Sequence, residues 1–280
     1  MLFLVLAVLS SVTVAASIKV SENAGRNRIS VALINYCIAA VVMFILWLLH
    51  GAVSVSGITV VCGVYAGITW VVALVLMMYA IQRIGIAISS AVVRMAVLLP
   101  TILSIVIWFE IPSTLQICGI ALAAISILLL SLKVVRHENK FHLPDVIMVL
   151  GVWVTSGAAQ LASKLYAELC PAREKDGYLV ILFIVAFGVA WIWLRITGRT
   201  VEKKDLGYGV AVGVPNALSG LFLVSALQVL PGILVYPATA AAGVLLTVIL
   251  GIALWREKLG IKGALGIAAA IIALVLVNLK

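Results

Sequence analysis

One arginine lies inside an apolar stretch that is long enough to cross a membrane. Residues 87–108, AISSAVVRMAVLLPTILSIVIW, contain Arg94 and no acidic residue. An arginine near the centre of a membrane helix costs about 2.5–3.5 kcal/mol on insertion scales, so we expect Arg94 to face the protein interior or water. A guanidinium binds carboxylates through two parallel hydrogen bonds. The chemistry that this residue offers is therefore recognition of an anion.

Other polar residues continue along the same stretch. Ser90 lies four residues before Arg94 and Thr101 lies seven residues after it, which in a helix forms one polar stripe. Pro100 has no backbone N–H, so it frees one carbonyl for another partner. This pattern favours a water-facing stripe in which Arg94 attracts an anionic substrate. In the alternative interpretation, Arg94 snorkels to the membrane surface or caps carbonyls of a neighbouring helix.

Further polar residues within apolar stretches are candidates for substrate contact, because an unsatisfied polar group in lipid is costly. Gln160 and Lys164 lie on one helical face, although a lysine near the end of a span commonly snorkels. For Asn35, a hydrogen bond that cross-links two helices is as good an interpretation as substrate contact. Tyr236 lies on a helical face whose small residues favour close packing between helices. The candidates outside 87–108 are Asn35, Tyr36, Tyr65, Gln160, Lys164, Asn216, Ser219, Tyr236 and Thr239.

The elements that carry these residues are apolar throughout. Of the 280 residues, 65% are hydrophobic and only 10% are charged, and the mean hydropathy is +1.30. A soluble domain carries about 25% charged residues. The chain is therefore predicted to be a multi-pass protein of the cell's inner (plasma) membrane, with the lipid bilayer and a small-molecule substrate as partners. We expect it to be a monomer or a homodimer.

The net charge of +9 does not indicate nucleic-acid binding, because the basic residues lie mostly in short connectors, where they set topology. The four cysteines have no CxxC spacing and are interpreted as small core residues.

Apolar runs of the length of a membrane helix predict an all-α protein with ten transmembrane helices. The predicted spans cover residues 2–18, 30–50, 57–80, 85–108, 114–132, 144–166, 178–197, 207–229, 232–254 and 261–279. The connectors between them leave no room for a soluble domain. No phosphate-binding loop is present, so the chain by itself is not an ATP-driven pump.

The two halves of the chain resemble each other. Residues 108–133 align with 255–280 at a constant offset of 147, with W-x-E followed by G-I-A in both copies. Five spans separate the copies, and because five is odd the second copy must run upside down. Inverted repeats are typical of secondary transporters. The predicted domains are a five-helix repeat over 1–133, a loop over 134–143 and an inverted repeat over 144–280.

The segments WFEIPSTLQICG and WREKLGIKGALG, together with the ten spans and the five-plus-five repeat, resemble the EamA-like branch of the drug/metabolite transporter superfamily. The resemblance covers nearly the whole chain. It implies a central cavity built from spans 1, 3, 4, 6, 8 and 9, with spans 5 and 10 at the periphery. Glu110 and Glu257 of these segments are interpreted as structural residues that accept hydrogen bonds at short turns. The resemblance indicates the fold and does not indicate the substrate.

The orientation of the chain is predicted in two conflicting ways. Fourteen basic residues lie in the odd-numbered loops, and four lie on the opposite side. The positive-inside rule therefore places the odd-numbered loops in the cytoplasm and both termini outside. Ten-helix members of the family are generally drawn with both termini inside.

The predicted function is a secondary transporter that moves a small polar or anionic metabolite by alternating access. The alternatives are a cation or drug exporter of the same superfamily, a channel, or a membrane-embedded enzyme. Enzymes that transfer lipid head groups need paired acids to hold a metal, and the sequence has no aspartate-rich motif. We therefore expect no enzymatic activity, no metal and no cofactor. No carboxylate lies deep within a predicted span, which disfavours antiport of cations through a membrane-embedded acid.

Overall fold

The computed structural model describes residues 1–84, 86–131, 143–255 and 261–279. All regular structure in these ranges is helical, which confirms the predicted fold class. The α-helices are α1 Leu2–Asn23, α2 Arg28–Leu49, α3 Gly57–Ile84, α4 Ile86–Met95, α5 Leu98–Trp108, α6 Thr114–Ser131, α7 Leu143–Leu169, α8 Lys175–Ile196, α9 Lys203–Leu227, α10 Gly232–Trp255 and α11 Ile261–Asn278. A short 3-10 turn, Ala172–Glu174, precedes α8.

The helices match the ten predicted spans. Within the described ranges, eight helical segments are long and apolar enough to cross a membrane, and two shorter apolar segments lie in α6 and α11. The chain is therefore a multi-pass membrane protein. Three helices are longer at their C-terminal ends than the sequence predicted: α1 continues to Asn23, α3 to Ile84 and α7 to Leu169. As a result Glu168, predicted to lie in a connector, belongs to the last turn of α7.

The span that carries Arg94 is interrupted. It consists of α4 and α5, which are separated by Ala96 and Val97. Pro100 cannot donate a hydrogen bond to the carbonyl of Ala96, four residues earlier, and its ring disfavours a continuous helix at that point. The N–H of Leu99 bonds instead to the carbonyl of Ala96, at 3.1 Å. The bond that Leu99 would make to the Met95 carbonyl in a regular α-helix is thereby lost.

The described residues pack as two compact units. Unit 1 contains Met1–Val71 and Ala162–Val229, and unit 2 contains Val72–Leu161 and Leu230–Lys280. Each unit therefore takes helices from both halves of the sequence. The chain passes from one unit to the other inside α3 and again inside α7, and a third time after Val229.

In unit 1, α2 packs against α8 and α9, and α1 packs against α9. Glycines of α9 permit the close approach to α2: a side chain at Gly213 would lie 2.8 Å from Cβ of Ile38. The end of α2 meets the start of α8, where Nδ1 of His50 lies 2.7 Å from Oδ2 of Asp176. These two helices are counterparts in the predicted repeat, and they run antiparallel.

In unit 2, α6 packs along α11 with small residues between them. Gly119, early in α6, lies against Val277 near the end of α11, and Ala123 packs with Ala241 of α10 and Ala273 of α11. The pair is therefore antiparallel. An inverted repeat requires this direction for counterpart helices, whereas the repeat itself and its boundaries remain a prediction.

Candidate functional site

Arg94 lies in the last turn of α4, directly before the interruption of the span. Its side chain is half-buried. Arg94 thus lies two residues before Ala96 and Val97, at which the regular helical hydrogen bonding breaks off. Irregular backbone within a membrane span is tolerated where it is buried in protein or lines a water-filled cavity.

The carbonyl released at the interruption has a partner on another helix. The indole N–H of Trp153, on α7, donates a hydrogen bond to the Met95 carbonyl oxygen at 3.1 Å. One turn further along α7, Gly157 lets α7 and α5 approach each other closely, because a Cβ at this position would lie 2.7 Å from Cβ of Leu99. The sequence predicted a freed carbonyl near Pro100. It did not predict that Trp153 donates to this carbonyl, because no local sequence pattern relates Trp153 to Met95.

No counter-ion neutralises Arg94 within the described part of the chain. None of the residues described there is hydrogen-bonded or ion-paired to the guanidinium. In the alternative interpretation Arg94 caps carbonyls of a neighbouring span, but none of the described carbonyls accepts a hydrogen bond from it. The described residues thus supply no anion to the charge of Arg94.

The polar neighbours of Arg94, Ser90 and Thr101, remain predicted substrate contacts. Thr101 is buried, and its hydroxyl donates to the Val97 carbonyl of its own helix at 2.9 Å. This bond satisfies the hydroxyl donor within its own helix. The backbone of Ser90 belongs to α4, but its side chain lies outside the described structure.

Unit 2 also brings together two candidates that are far apart in the sequence. Tyr236 of α10 is buried, and its hydroxyl donates to the backbone carbonyl of Gln160 on α7 at 3.1 Å. The hydroxyl of Thr239 donates to the Val235 carbonyl at 2.7 Å. Tyr236 thus links two helices through its hydroxyl, whereas the Gln160 side chain is half-buried.

In unit 1, Asn35 and Asn216 cross-link two helices. The amide nitrogen of Asn216, on α9, donates to Oδ1 of the buried Asn35 on α2, at 3.1 Å. Tyr36 is buried in the same turn of α2, and Tyr65 and Ser219 are half-buried on α3 and α9. That these residues bind a substrate remains a prediction, and the cross-linking alternative for Asn35 has a bond to support it.

Lys164 does not lie exposed at the membrane surface. Its side chain is 1% exposed on α7, and Nζ lies 2.5 Å from Oε1 of Glu168, one turn later on the same helix. The i,i+4 spacing of a lysine and a glutamate indicates such a pair. The sequence interpretation missed it because Glu168 was placed in a connector.

Glu110 accepts backbone hydrogen bonds, as its position in the W-x-E segment predicted. Its carboxylate oxygens accept from the N–H groups of Gly232 and Ile233 at 3.0 and 2.9 Å, at the start of α10. An anion at a helix N-terminus is favoured by the helix dipole and by the unpaired N–H groups there. Its counterpart Glu257 lies outside the described residues.

Comparison with known proteins identifies the family. The EamA-like transporter family matches residues 1–132. This segment, just under half of the 280 residues, is therefore similar to the EamA-like transporter family. The resemblance to the drug/metabolite transporter superfamily is thereby confirmed, and the family is one of membrane transporters.

Two further similarities extend over more of the chain. An uncharacterized protein of Haemophilus influenzae is 27% identical over 195 residues, which is 69% of this chain and 66% of that protein. A protein of known crystal structure has the same fold with a TM-score of 0.81 and 14% identity, and the alignment covers 99% of this chain and 95% of the other. The structural similarity shows that one known fold extends over nearly the whole chain, and neither similarity indicates a substrate.

Proposed function

We propose that this EamA-like protein is a secondary transporter of the plasma membrane that moves a small polar or anionic metabolite by alternating access. The observation that carries the proposal is the state of Arg94. It is a half-buried cation at the interruption of a span, and it is neither hydrogen-bonded nor ion-paired within the described residues.

The energetics of a membrane cation explain why such a residue favours an anionic ligand. An arginine within a span costs about 2.5–3.5 kcal/mol on insertion scales. A protein that needs only a stable helix avoids this cost with an apolar residue. A carboxylate-bearing substrate offers the guanidinium two charge-assisted hydrogen bonds, which are about twice as strong as neutral ones. Recognition of an anion is the gain that offsets the cost.

The test compares the wild type with Arg94→Ala in a thermal-shift screen against small carboxylates and phosphates. A ligand that binds only the folded protein stabilises it by about 2.7 kcal/mol at one hundred times its Kd. We expect at least one anion to raise the melting temperature of the wild type and to leave Arg94→Ala unchanged. That anion should then show saturable counterflow in proteoliposomes that contain the wild type.

The matched control is Arg83→Ala. Arg83 lies at the end of α3, is exposed, and pairs with Asp145 at 2.7 Å, so its loss should leave ligand binding and counterflow intact. Arg94→Lys separates two modes of binding: partial counterflow indicates that a positive charge suffices, whereas loss indicates that the two-pronged geometry is required.

Three outcomes would contradict the proposal. Binding that is confined to organic cations would favour the exporter alternative. Flux of the anion without saturation would favour a channel. Full counterflow in Arg94→Ala would remove Arg94 from the site.

A further inference from the structure

The start of α3 lies against the turn between α7 and α8, and this contact brings two cysteines together. Cys62 lies in the second turn of α3, and Cys170 directly follows α7. Their sulfur atoms are 3.7 Å apart although 108 residues separate them in the sequence. The sequence alone gave no reason to pair them, because their spacing matches no short cysteine motif.

Hydrogen bonds to Glu174 hold α3 at this turn. One carboxylate oxygen of Glu174 accepts from the backbone N–H of Ser56 at 2.9 Å, from the Ser56 hydroxyl at 2.7 Å and from the Thr59 hydroxyl at 2.6 Å. Thr59 precedes Cys62 by three residues, so both lie on the same face of α3. The face that carries Cys62 is therefore held towards the segment that carries Cys170.

The turn between α7 and α8, which carries Cys170, is also held in place by side-chain contacts. The Tyr166 hydroxyl donates to the Pro171 carbonyl at 2.8 Å, and the ring of Tyr166 stacks on that of Tyr178 with centroids 4.2 Å apart. Gly63 brings α3 close to α8, because a Cβ there would lie 2.9 Å from Cβ of Ile181. The two thiols are thus neighbours because their backbones are positioned on both sides.

We propose that Cys62 and Cys170 are a redox pair that closes into an intramolecular disulfide when the protein meets an oxidant of the disulfide class. Both are free thiols in the structure, Cys62 buried and Cys170 half-buried. A disulfide brings its sulfur atoms to about 2.05 Å, so side-chain rotation has to close the remaining distance. The better exposed Cys170 is the residue that reacts first with the oxidant.

The reaction proceeds by two thiol–disulfide exchanges. The Cys170 thiolate attacks one sulfur of the oxidant, and the second sulfur of the oxidant leaves as a thiolate. The Cys62 thiolate then attacks Sγ of Cys170, and the first sulfur of the oxidant leaves. The protein loses two electrons and two protons, and the oxidant is reduced to two thiols. No other reactant is needed.

Closure of the pair would join two helices that each pass from one unit to the other. The chain leaves unit 1 within α3 after Val71, and it re-enters unit 1 within α7 at Ala162. A disulfide between Cys62 and Cys170 would tie the unit 1 portion of α3 to the end of α7. Because the bond cross-links residues far apart in the chain, it strongly restricts the unfolded state.

The experiment uses the full chain with Cys37→Ser and Cys118→Ser, which leaves only the proposed pair. The purified protein is incubated with oxidised glutathione, and free thiols are counted before and after. We expect the count to fall from two to about zero in the monomeric protein, with a cross-linked peptide that contains Cys62 and Cys170. Dithiothreitol should restore both thiols. The oxidised form should melt about 5 °C higher than the reduced form.

The control variants carry Cys62→Ser or Cys170→Ser in the same background. Each should give at most one glutathione adduct, with no cross-linked peptide and no rise in melting temperature. The proposal is overturned if both thiols stay free after oxidation, or if only mixed or intermolecular disulfides form. Should the background variant fail to fold, peptide mapping of the oxidised wild type gives the same decision.

Discussion

Lys164 and Arg94 are both cations within apolar helices, and the protein treats them in opposite ways. Lys164, in unit 1, is completely buried and has a glutamate one turn away on the same helix. Arg94, in unit 2, lies at the interruption of a span and is neither hydrogen-bonded nor ion-paired within the described residues. One cation has an internal counter-ion, and the other has none in the described chain.

On this difference rests our proposal that Lys164 is a structural charge and Arg94 a functional one. A buried charge with its own counter-ion is neutral as a pair and has little to offer a ligand. A charge without one attracts an anion from outside the chain. Lys164 was predicted as a substrate contact on the same grounds as Arg94, and the Glu168 pair makes it the weaker candidate.

The largest expected effect on stability comes from breaking the Lys164 pair. Glu168→Gln should lower the free energy of unfolding by about 3 kcal/mol, because it leaves the buried ammonium without its carboxylate. Thermal or denaturant unfolding in detergent measures the change. The double variant Lys164→Met/Glu168→Gln should regain most of the loss.

The matched control is Glu22→Gln. Glu22 is 32% exposed, similar to Glu168 at 34%, but its partner Arg28 is 34% exposed and not buried. Loss of the Glu22 carboxylate should therefore lower the free energy of unfolding by less than about 1 kcal/mol. Equal effects of the two glutamine variants would contradict the distinction between a buried pair and a surface pair.

The next largest effect is expected at the interruption of the Arg94 span. Trp153→Phe keeps an aromatic ring but leaves the Met95 carbonyl without its donor, which should cost about 1–3 kcal/mol. Transport should fall as well, because the bond holds the backbone beside Arg94. Trp191→Phe, at an exposed position on α8, is the control and should change neither quantity. An unchanged melting temperature in Trp153→Phe would show that the indole bond contributes nothing to the native state.

A smaller effect is expected from the helix cross-link in unit 1. Asn216→Ala removes the hydrogen bond to Asn35, and such bonds between membrane helices contribute about 0.6 kcal/mol on average. The same substitution at the exposed Asn278, whose amide bonds only to its own helix, is the control. If substrate affinity falls in Asn216→Ala while stability is unchanged, the pair binds substrate and does not merely link helices.

The smallest effect on stability is expected from Arg94 itself. Arg94→Met should not lower the free energy of unfolding, because it breaks no hydrogen bond or ion pair among the described residues and removes a charge that is costly within a span. Transport of the anionic substrate should nevertheless be lost. A strongly destabilised Arg94→Met would place Arg94 among the structural residues, together with Lys164.

The helices could be predicted from the sequence because lipid demands long apolar runs, and each run is helical near its predicted bounds, the fourth as two helices. Pro100 likewise predicted the disturbance in the fourth span, since its effect is local. The ends of α1 and α7 were predicted too short because charged residues were taken to mark the membrane boundary. Glu168 shows the consequence: one misplaced helix end concealed an ion pair.

The contacts that define the candidate sites could not be predicted in this way. Trp153 and Met95, or Cys62 and Cys170, are brought together by packing between helices, and no local pattern records which helices are neighbours. Candidate lists drawn from polarity alone therefore mix cross-links such as Asn35 with cations such as Arg94. Only the hydrogen-bond partners distinguish them.

The carboxylate of Glu110 also bears on selectivity. In transporters with broken helices, the positive end of a half-helix commonly receives the anionic group of the substrate. At the start of α10 this role is already filled by the carboxylate of Glu110. The carboxylate of a substrate would have to displace it, and the covalent tether keeps Glu110 at a high local concentration. The helix end is thus occupied by the protein's own carboxylate, and among the described residues Arg94 is the cation that we propose discriminates between anionic and cationic cargo.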